Sequence, residues 1–355
     1  MRGLATVLSI SLIALSALGQ EKTQSIPARA ENLWQPQNSK TDVQLRGISA
    51  VSSKVAWASG ARGTVLRTID GGETWETLVI VGAEALDFRD IQAFDQNTAF
   101  VLSIGPGDQS RIYKTADGGR IWQRQFTNND PKAFYDCFAF WDRTHGIAVS
   151  DSVDGKFPLI ATSDGMNWNP VVVKNMPAAL PSEGAFAASG TCIATFGRSD
   201  VWFGTGGPAA RVFHSGDGGK TWTVAETPIL HGGATQGVFS LAFWTAKDGV
   251  AAGGDYKEPA KGEKTAAFTH DGGKTWTLAT KLPQGYRSAV AAVASHLVAV
   301  GTSGADISDD GGKSWASLFT NPMFPDNLNA LALVGNSGWA VGPDGKIVTL
   351  HLNFH

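Results

Sequence analysis

The sequence predicts an all-β protein, a seven-bladed β-propeller with Asp-box turns that is closed by an N-terminal strand completing the last blade. Three observations support this fold class: one turn motif occurs six times, its copies are spaced like four-stranded blades, and seven segments share a small residue. A single four-stranded blade cannot bury both of its faces, so repeated blades must pack against one another around a ring.

The turn motif reads Ser/Thr-x-Asp-x-Gly-x-x-Trp, the pattern known as the Asp-box, and its third copy is one residue short. Its carboxylate can accept backbone N–H groups of its own turn, its glycines supply positive φ, and its tryptophan begins the next strand with a large apolar surface. We therefore expect each copy to be a hairpin tip with a structural aspartate and no metal. At intervals of 39 to 54 residues, the aspartates are Asp70, Asp117, Asp164, Asp217, Asp271 and Asp310.

Aligning the segments from these turns predicts seven inner strands, one more than the number of boxes. A small residue occupies the same predicted position in each: Ala50, Ala93, Ala139, Ala194, Ala242, Ala291 and Ala332. The seventh segment lacks a Trp-led outer strand, and residues 32–36, with Trp34, are expected to supply it. The predicted blades are approximately 41–80, 86–127, 133–174, 184–227, 235–280, 285–319, and 327–355 plus 32–36, in one domain from 32 to 355.

Residues 1–19 have one basic residue, an apolar run and a small-x-small end, which is typical of a cleaved signal peptide. Residues 20–31 form a polar leader. We therefore expect a periplasmic or secreted protein without stable membrane insertion; its oligomeric state is left open. The formal net charge of −3 gives no indication of a nucleic-acid partner.

The chain has two cysteines, Cys137 and Cys192, at the same predicted position of neighbouring inner strands. An oxidising compartment would permit a disulfide between them. The alternative is a pair of buried thiols that act as small core residues. The sequence leaves both possibilities open.

A candidate binding site lies four residues before the small inner-strand residue, at the face that carries the loops between blades. Three arginines and a tyrosine fall there, Arg46, Arg89, Tyr135 and Arg287, with Arg62 in a nearby loop. Guanidinium donors suit a carboxylate, a phosphate or an acidic peptide, so we expect a protein or acidic peptide segment as partner. The alternative is that each arginine pairs with a local acid such as Asp90 or Asp136.

Three loops on the same predicted face are candidates for further contacts. Residues 151–158 and 255–264 enlarge two second-to-third-strand connections, and residues 177–186 can cover the mouth of the channel. Long loops on a rigid scaffold are where function concentrates, but the alternative for 151–158 and 255–264 is solvated surface loops without a binding role.

No pattern indicates catalysis. The sequence has no Gly-x-Ser-x-Gly elbow, His-Glu-x-x-His, Cys-x-x-Cys or dinucleotide fingerprint, and its seven histidines have no ligand spacing. We therefore assign no catalytic residue, no metal and no cofactor.

Residues 48–75, with the sequences ISAV, AWASG and GTVLRTIDGGETW, resemble the photosystem II stability/assembly factor family. HGIAV at 145–149 and GWAVG at 338–342 repeat the pattern. The resemblance implies a secreted seven-bladed propeller of the BNR/Asp-box, WD40/YVTN-like class that assists complex assembly. It also implies an arginine patch, which Arg46, Arg89 and Arg287 match by position. Some non-photosynthetic relatives are labelled oxidoreductase, for which this chain has no motif.

We therefore predict a non-catalytic binding propeller that assists the assembly or stability of an envelope protein complex. The alternative is a sialidase-like glycoside hydrolase of the BNR type. That resemblance would give Arg46, Arg89 and Arg287 a carboxylate to hold, with Tyr135, Glu183 and Asp136 as nucleophile, partner and acid. The family's Phe/Tyr-Arg-Ile-Pro start is absent, since residues 88–91 read FRDI.

Overall fold

The computed structural model describes Met1, residues 34–318 and residues 327–352. The predicted signal peptide (1–19), the polar leader (20–31) and residues 32–33 lie outside this part of the chain. The described residues form 28 strands in seven four-stranded antiparallel sheets, together with a 3-10 turn at Gly107–Gln109. The predicted seven-bladed propeller is thus confirmed.

The first six blades each use four consecutive strands. Blade 1 contains β2 (Leu45–Ala50), β3 (Ala56–Gly60), β4 (Val65–Thr68) and β5 (Glu76–Leu78); blade 2 contains β6 (Asp87–Ala93), β7 (Ala99–Ile104), β8 (Arg111–Thr115) and β9 (Gln123–Thr127); blade 3 contains β10 (Tyr135–Phe140), β11 (Gly146–Ser150), β12 (Leu159–Thr162) and β13 (Asn169–Pro170).

The next three blades repeat this order. Blade 4 contains β14 (Ile193–Phe196), β15 (Asp200–Gly204), β16 (Arg211–Ser215) and β17 (Thr223–Glu226); blade 5 contains β18 (Gln236–Phe243), β19 (Gly249–Asp255), β20 (Ala266–Thr269) and β21 (Thr277–Leu278); blade 6 contains β22 (Ala289–Val293), β23 (His296–Gly301), β24 (Gly304–Ser308) and β25 (Ala316–Ser317). The first strands contact the first strands of both neighbouring blades, so they lie nearest the axis.

Blade 7 joins the two ends of the described chain. Its sheet has the order β26 (Ala330–Val334), β27 (Ser337–Val341), β28 (Ile347–His351) and β1 (Trp34–Gln37). Trp34 pairs with Leu350 and is only 2% exposed, inside the core between blades 6 and 7. The N-terminal strand therefore closes the ring as predicted and removes a free sheet edge.

The hydrophobic core is divided among the interfaces between blades. Between blades 7 and 1, for example, Trp339 and Ile347 pack in one buried cluster with Leu45 and Trp75. Each blade thus buries its faces on its two neighbours, which is why the ring must close.

The Asp-boxes are hairpin tips held by their own side chains. In the first, Thr68 Oγ1 accepts the Gly72 N–H (2.8 Å), and Asp70 Oδ1 accepts the Thr74 N–H (3.0 Å). Hydrogen bonds from the Thr74 hydroxyl and N–H lower the pKa of Asp70 to about 2. Gly71 and Gly72 have φ of 85° and 91°. The other five aspartates also accept hydrogen bonds within their own turns.

The two cysteines are bonded to each other. Cys137 lies in β10 and Cys192 directly precedes β14; both are fully buried, with their Cα atoms 6.2 Å apart. The structure therefore selects the disulfide over a pair of thiols, and it fastens blade 3 to blade 4.

In the part of the chain that the structure describes, no helix has the length and apolar character needed to cross a membrane.

Candidate functional site: the mouth of the channel

β-Bulges direct four inner-strand residues out of the sheet pairing. The strand register skips Arg46 in β2, Arg89 in β6, Asp136 in β10 and Phe239 in β18. A bulge leaves one residue unpaired and re-aims its side chain, and bulges are common beside functional sites. Two arginines, an aspartate and a phenylalanine therefore share one structural position.

This position corrects the predicted set of rim residues. Tyr135 precedes the bulge residue Asp136, so it stands one position away from Arg46 and Arg89. A one-residue shift in a strand moves a side chain to the opposite face. Tyr135 is 5% exposed, packs against Phe126 with ring centroids 5.2 Å apart, and lines a cavity of about 1010 Å³ beside blade 3. Burial raises its pKa to about 12.

Arg287 is also absent from the rim. It is 1% exposed, and its Nε donates to Asp306 Oδ2 (2.6 Å) while Nη1 donates to the Tyr286 carbonyl (2.8 Å) and Ser303 Oγ (3.0 Å). The guanidinium thus belongs to a buried ion pair inside blade 6. It has no surface with which to hold a partner.

Arg62 forms an exposed ion pair with Asp42. It does not line the cavity that contains Arg46 and Arg89. Its φ of 57° places it in a tight turn after β3. The structure therefore gives Arg62 a local partner and separates it from the candidate site.

Arg46 and Arg89 line one cavity of about 490 Å³ at the mouth of the channel. Aromatic residues from three blades complete much of its wall: Phe186, Phe239, Tyr256 and Tyr286. Tyr256 is 43% exposed and comes from the enlarged loop 255–264. The mouth is therefore a basic pocket with apolar walls.

Arg46 is the unusual charge in this pocket. Its Nη1 donates to the Ala188 carbonyl (3.3 Å), but its buried Nε has no hydrogen-bond partner among the described residues. No carboxylate in residues 34–318 or 327–352 lies within 4.0 Å of it as an ion-pair partner. Burial, followed by the charge of Arg89, lowers the pKa of Arg46. Arg46 is half-buried, and a partly desolvated cation without an ion-pair partner is stabilised when a ligand supplies an anion.

Arg89 is partly compensated. Its Nε donates to Asp87 Oδ2 (2.8 Å), and its Nη1 donates to the Ala187 carbonyl (3.0 Å). Pairing with a local acid was the alternative to partner binding that the sequence left open. Arg89 does pair with an acid, Asp87, and Arg287 pairs with Asp306; neither acid is one that the sequence suggested. Asp90 instead accepts the Phe138 N–H (2.8 Å) and ties blade 2 to blade 3.

Residues 184–189, which we term the mouth segment, form one wall of the pocket. Phe186 stacks on Phe239 with ring centroids 3.8 Å apart, and Ser189 Oγ donates to the Ser288 carbonyl (2.8 Å) of blade 6. The carbonyls of Ala187 and Ala188 receive the two arginine donors. The segment that was expected to cover the mouth thus forms part of its wall, and it extends beyond the predicted end at residue 186.

A buried ion pair fixes the start of the mouth segment. Glu183 Oε1 accepts Arg211 Nε (2.7 Å) and Thr205 Oγ1 (2.6 Å), and its Oε2 accepts the Leu180 N–H (2.8 Å). Glu183 is 2% exposed. Glu183 thus anchors this loop. Tyr135 lines a different cavity and Arg287 is buried in blade 6, so the structure does not bring together the residues that a sialidase-like site would need.

A second cavity of about 310 Å³ adjoins the first and shares Arg89, Phe186 and Ala187 with it. It contains Asp136 and Asp151. Burial, followed by the charge of Asp151, raises the pKa of Asp136 well above its usual range, and burial raises the pKa of Asp151 to about 6. Asp151 Oδ1 accepts the Ala185 N–H (2.9 Å), so this acid also holds the mouth segment.

The sequence pattern did not predict the aromatic wall of the pocket. Knowledge of the bulges would have identified Phe239, because it occupies the same strand position as Arg46 and Arg89. Phe186 and Tyr256 come from loops that the sequence singled out without assigning them contacts. No group of three or more potential metal ligands occurs in the described part of the chain.

The comparisons with known proteins agree with this architecture. The family profile described as "Photosynthesis system II assembly factor YCF48" matches residues 26–175, which contain Arg46, Arg89 and Asp136. The curated "Photosystem II assembly lipoprotein Ycf48" of Picosynechococcus sp. is 25% identical over 296 residues, or 70% of this chain and 78% of the relative. Over its first three blades the chain is similar to photosystem II assembly factors of the YCF48 type.

Solved structures extend the likeness of the fold to nine-tenths or more of the chain. "YCF48 bound to D1 peptide" has a TM-score of 0.62 at 16% identity and covers 93% of this chain and 100% of its own. "YCF48 from Cyanidioschyzon merolae" has a TM-score of 0.60 at 20% identity, covering 90% and 99%. A virginiamycin B lyase from Staphylococcus aureus has a TM-score of 0.64 at 12% identity, covering 90% and 98%. At these identities the likeness shows the fold alone.

Proposed function

We propose that this chain is a non-catalytic binding propeller that holds an acidic segment of a partner protein at the mouth of its channel. Arg46 and Arg89 supply the guanidinium donors, and the aromatic wall holds apolar neighbours of the acidic group. The protein would thereby assist the assembly or stability of a protein complex in the cell envelope.

The main support for this proposal is that Arg46 lacks a carboxylate partner among the described residues. Its guanidinium lines the pocket, keeps one unused buried donor, and has no carboxylate partner among the described residues. A carboxylate that accepted this donor would supply the missing charge and form a charge-assisted hydrogen bond. A carboxylate side chain of a protein has this chemistry, and the pocket is open to receive it.

The named relatives support an assembly function and a peptide partner. The Picosynechococcus relative is named as a photosystem II assembly lipoprotein, and one solved YCF48 is bound to a D1 peptide. The profile match includes both arginines of the mouth. We extend the class of function to this chain, and leave the identity of its partner to experiment.

A location outside the cytoplasm fits the same proposal. The apolar N-terminal segment predicts export, and the buried disulfide requires an oxidising compartment to form. We infer a periplasmic or secreted protein after cleavage following Gly19.

Capture from the envelope of the source organism tests the function. The wild-type protein, Arg46→Ala/Arg89→Ala and the control Arg143→Ala would each serve as bait, with bound proteins quantified by mass spectrometry. Arg143 pairs with Asp95 in a hairpin away from the mouth pocket, so its removal lowers the positive charge by one, against two in the mouth variant, without touching the site.

We expect one partner to be retained by wild type and the control and lost from the mouth variant. Its binding to wild type should weaken with added salt, because exposed parts of the contact are screened, and the mouth variant should show a flatter dependence. A partner captured equally by all three proteins would contradict the assignment of the mouth.

A further inference from the structure

The second cavity at the mouth has the opposite charge character to the first. Asp136 and Asp151 line it, and the structure shows no ion pair to either carboxyl within 4.0 Å among residues 34–318 and 327–352. The nearest basic residue in its wall is Arg89, whose Nε and Nη1 are already engaged by Asp87 and the Ala187 carbonyl. The cavity therefore contains acids without a dedicated cation.

In this second cavity, Asp136 has a carboxyl oxygen that accepts no hydrogen bond from the described residues. The residue is 2% exposed, and its buried Oδ2 has no hydrogen-bond partner among the described residues. A buried carboxyl oxygen without a donor costs free energy, so such atoms usually mark a ligand or another polar partner. Asp136 is also the bulge residue of β10, which re-aims it as the bulges of β2 and β6 re-aim the arginines.

The wall of the cavity is shaped for close approach. Gly184 lies so near Asp151 that a Cβ on it would be 2.5 Å from Asp151 Oδ1. Gly206 and Gly207 contribute further backbone to the wall. The backbone thus approaches Asp151 closely, and a side chain at residue 184 would meet its carboxyl.

We infer that this second cavity binds a protonated amine of the same partner segment whose acidic group is held by Arg46. The inference rests on the proposed function and adds a requirement to it: the recognised segment carries a basic side chain close to its acidic one. The two cavities share Arg89, Phe186 and Ala187, so one segment can occupy both. An ammonium has three donors and can satisfy Asp136 Oδ2 together with Asp151.

Burial of Asp136 and Asp151 disfavours their ionised forms, which a bound cation would stabilise. The pKa values of Asp136 and Asp151 are raised, the first by burial and the neighbouring acid and the second by burial. An ammonium would favour the ionised carboxylates and replace the water that burial has removed.

Two small probes of matched size separate the subsites. n-Butylammonium and butyrate would be titrated by saturation-transfer difference NMR into the full mature protein, Asp136→Asn, Asp151→Asn and Arg46→Ala. Asn keeps the shape and one acceptor of Asp, and circular dichroism would confirm the fold of each variant. If one Asn variant fails to fold, the other decides the result.

We expect n-butylammonium to bind the wild type and to lose about tenfold in affinity in either Asn variant, the effect of one charge-assisted hydrogen bond. Arg46→Ala should leave its affinity unchanged. Butyrate should show the reverse pattern, with loss in Arg46→Ala.

Equal affinity of n-butylammonium for wild type and both Asn variants would overturn the amine site, as would no binding at concentrations at which butyrate binds. In those cases, butyrate binding that depends on Arg46 would leave the proposed function standing. Butyrate binding that does not depend on Arg46 would instead remove the proposed function.

Discussion

The indole N–H of Trp75 donates to Gln37 Oε1 at 2.9 Å, joining the Asp-box of blade 1 to the N-terminal strand that closes blade 7. Gln37 Nε2 also donates to the Gly71 carbonyl (3.0 Å). The same contact joins blades 2 and 3, where Trp168 Nε1 donates to Gln125 Oε1 (3.3 Å) of the preceding outer strand. Gln37 therefore gives the N-terminal strand the contacts of an ordinary outer strand, and closure is part of the repeat.

Removing the side chain of Trp34 should open this closure. Trp34→Ala takes a 2% exposed indole out of the core between blades 6 and 7, so the free energy of unfolding should fall by about 3 to 5 kcal/mol. Urea unfolding followed by tryptophan fluorescence measures the change. Gln35→Ala is the control, because Gln35 lies in the same strand with its side chain exposed. Equal midpoints for the two variants would show that the strand contributes nothing to stability.

The disulfide should stabilise the junction of blades 3 and 4. Cys137 and Cys192 are 55 residues apart, and constraining a loop of this length in the unfolded chain typically stabilises a protein by about 2 to 4 kcal/mol. Reductant should therefore lower the unfolding midpoint of the wild type and leave that of Cys137→Ala/Cys192→Ala unchanged. A wild-type midpoint that ignores reductant, with thiols titrated as free, would contradict the bond.

The acid pair at the mouth should make stability depend on pH. A carboxyl whose pKa is raised in the folded state contributes its full stabilisation below the pKa of the unfolded chain, which is near 4. This stabilisation is lost as the pH rises through the folded-state pKa, which is about 6 for Asp151. Asp151→Asn cannot ionise. Relative to this variant, the wild type should therefore lose up to about 3 kcal/mol between pH 4 and 7.5.

Chemical unfolding at a series of pH values measures this difference. The Asp-box carboxylate Asp70, with its pKa lowered to about 2, works in the opposite direction and only at acid pH, and it is present in both proteins. A difference between wild type and Asp151→Asn that stays constant from pH 4 to 7.5 would show that Asp151 is not the group that titrates.

The fold could be predicted because its signals are local. An Asp-box needs only residues within one turn, as Thr68 and Asp70 show by bonding the N–H groups of Gly72 and Thr74. Six such turns occur at blade spacing, and Trp34 precedes the first predicted blade while the seventh lacks a Trp-led outer strand. These observations are enough to predict seven blades and their closure.

The site could be predicted only in part, because bulges break the correspondence between sequence and strand position. Counting four residues back from the small residue placed Tyr135 and Arg287 with Arg46 and Arg89. The small residues themselves are out of step: Ala139 pairs with Ile147, but in blade 1 it is Ser49 that pairs with the equivalent Trp57. Ala50 and Ala93 lie one position later in their strands than Ala139, so counting four residues back reaches the bulge residue in blades 1 and 2 but the residue before it in blade 3. The pairing of Arg287 with Asp306 depends on blade 6 being folded.

The three arginines should therefore separate by stability and binding. Arg287→Ala leaves Asp306 buried and uncompensated, because both side chains are 1% exposed, so we expect a loss of about 3 to 5 kcal/mol in the free energy of unfolding. Arg46→Ala removes a cation without an acidic partner and should leave stability nearly unchanged or slightly raised, while partner capture falls. Thermal unfolding and capture, measured on the same preparations, test both effects. If Arg287→Ala melted with the wild type and lost the partner, Arg287 would belong to the binding surface, and the division between the mouth arginines and the buried ion pair of blade 6 would be wrong.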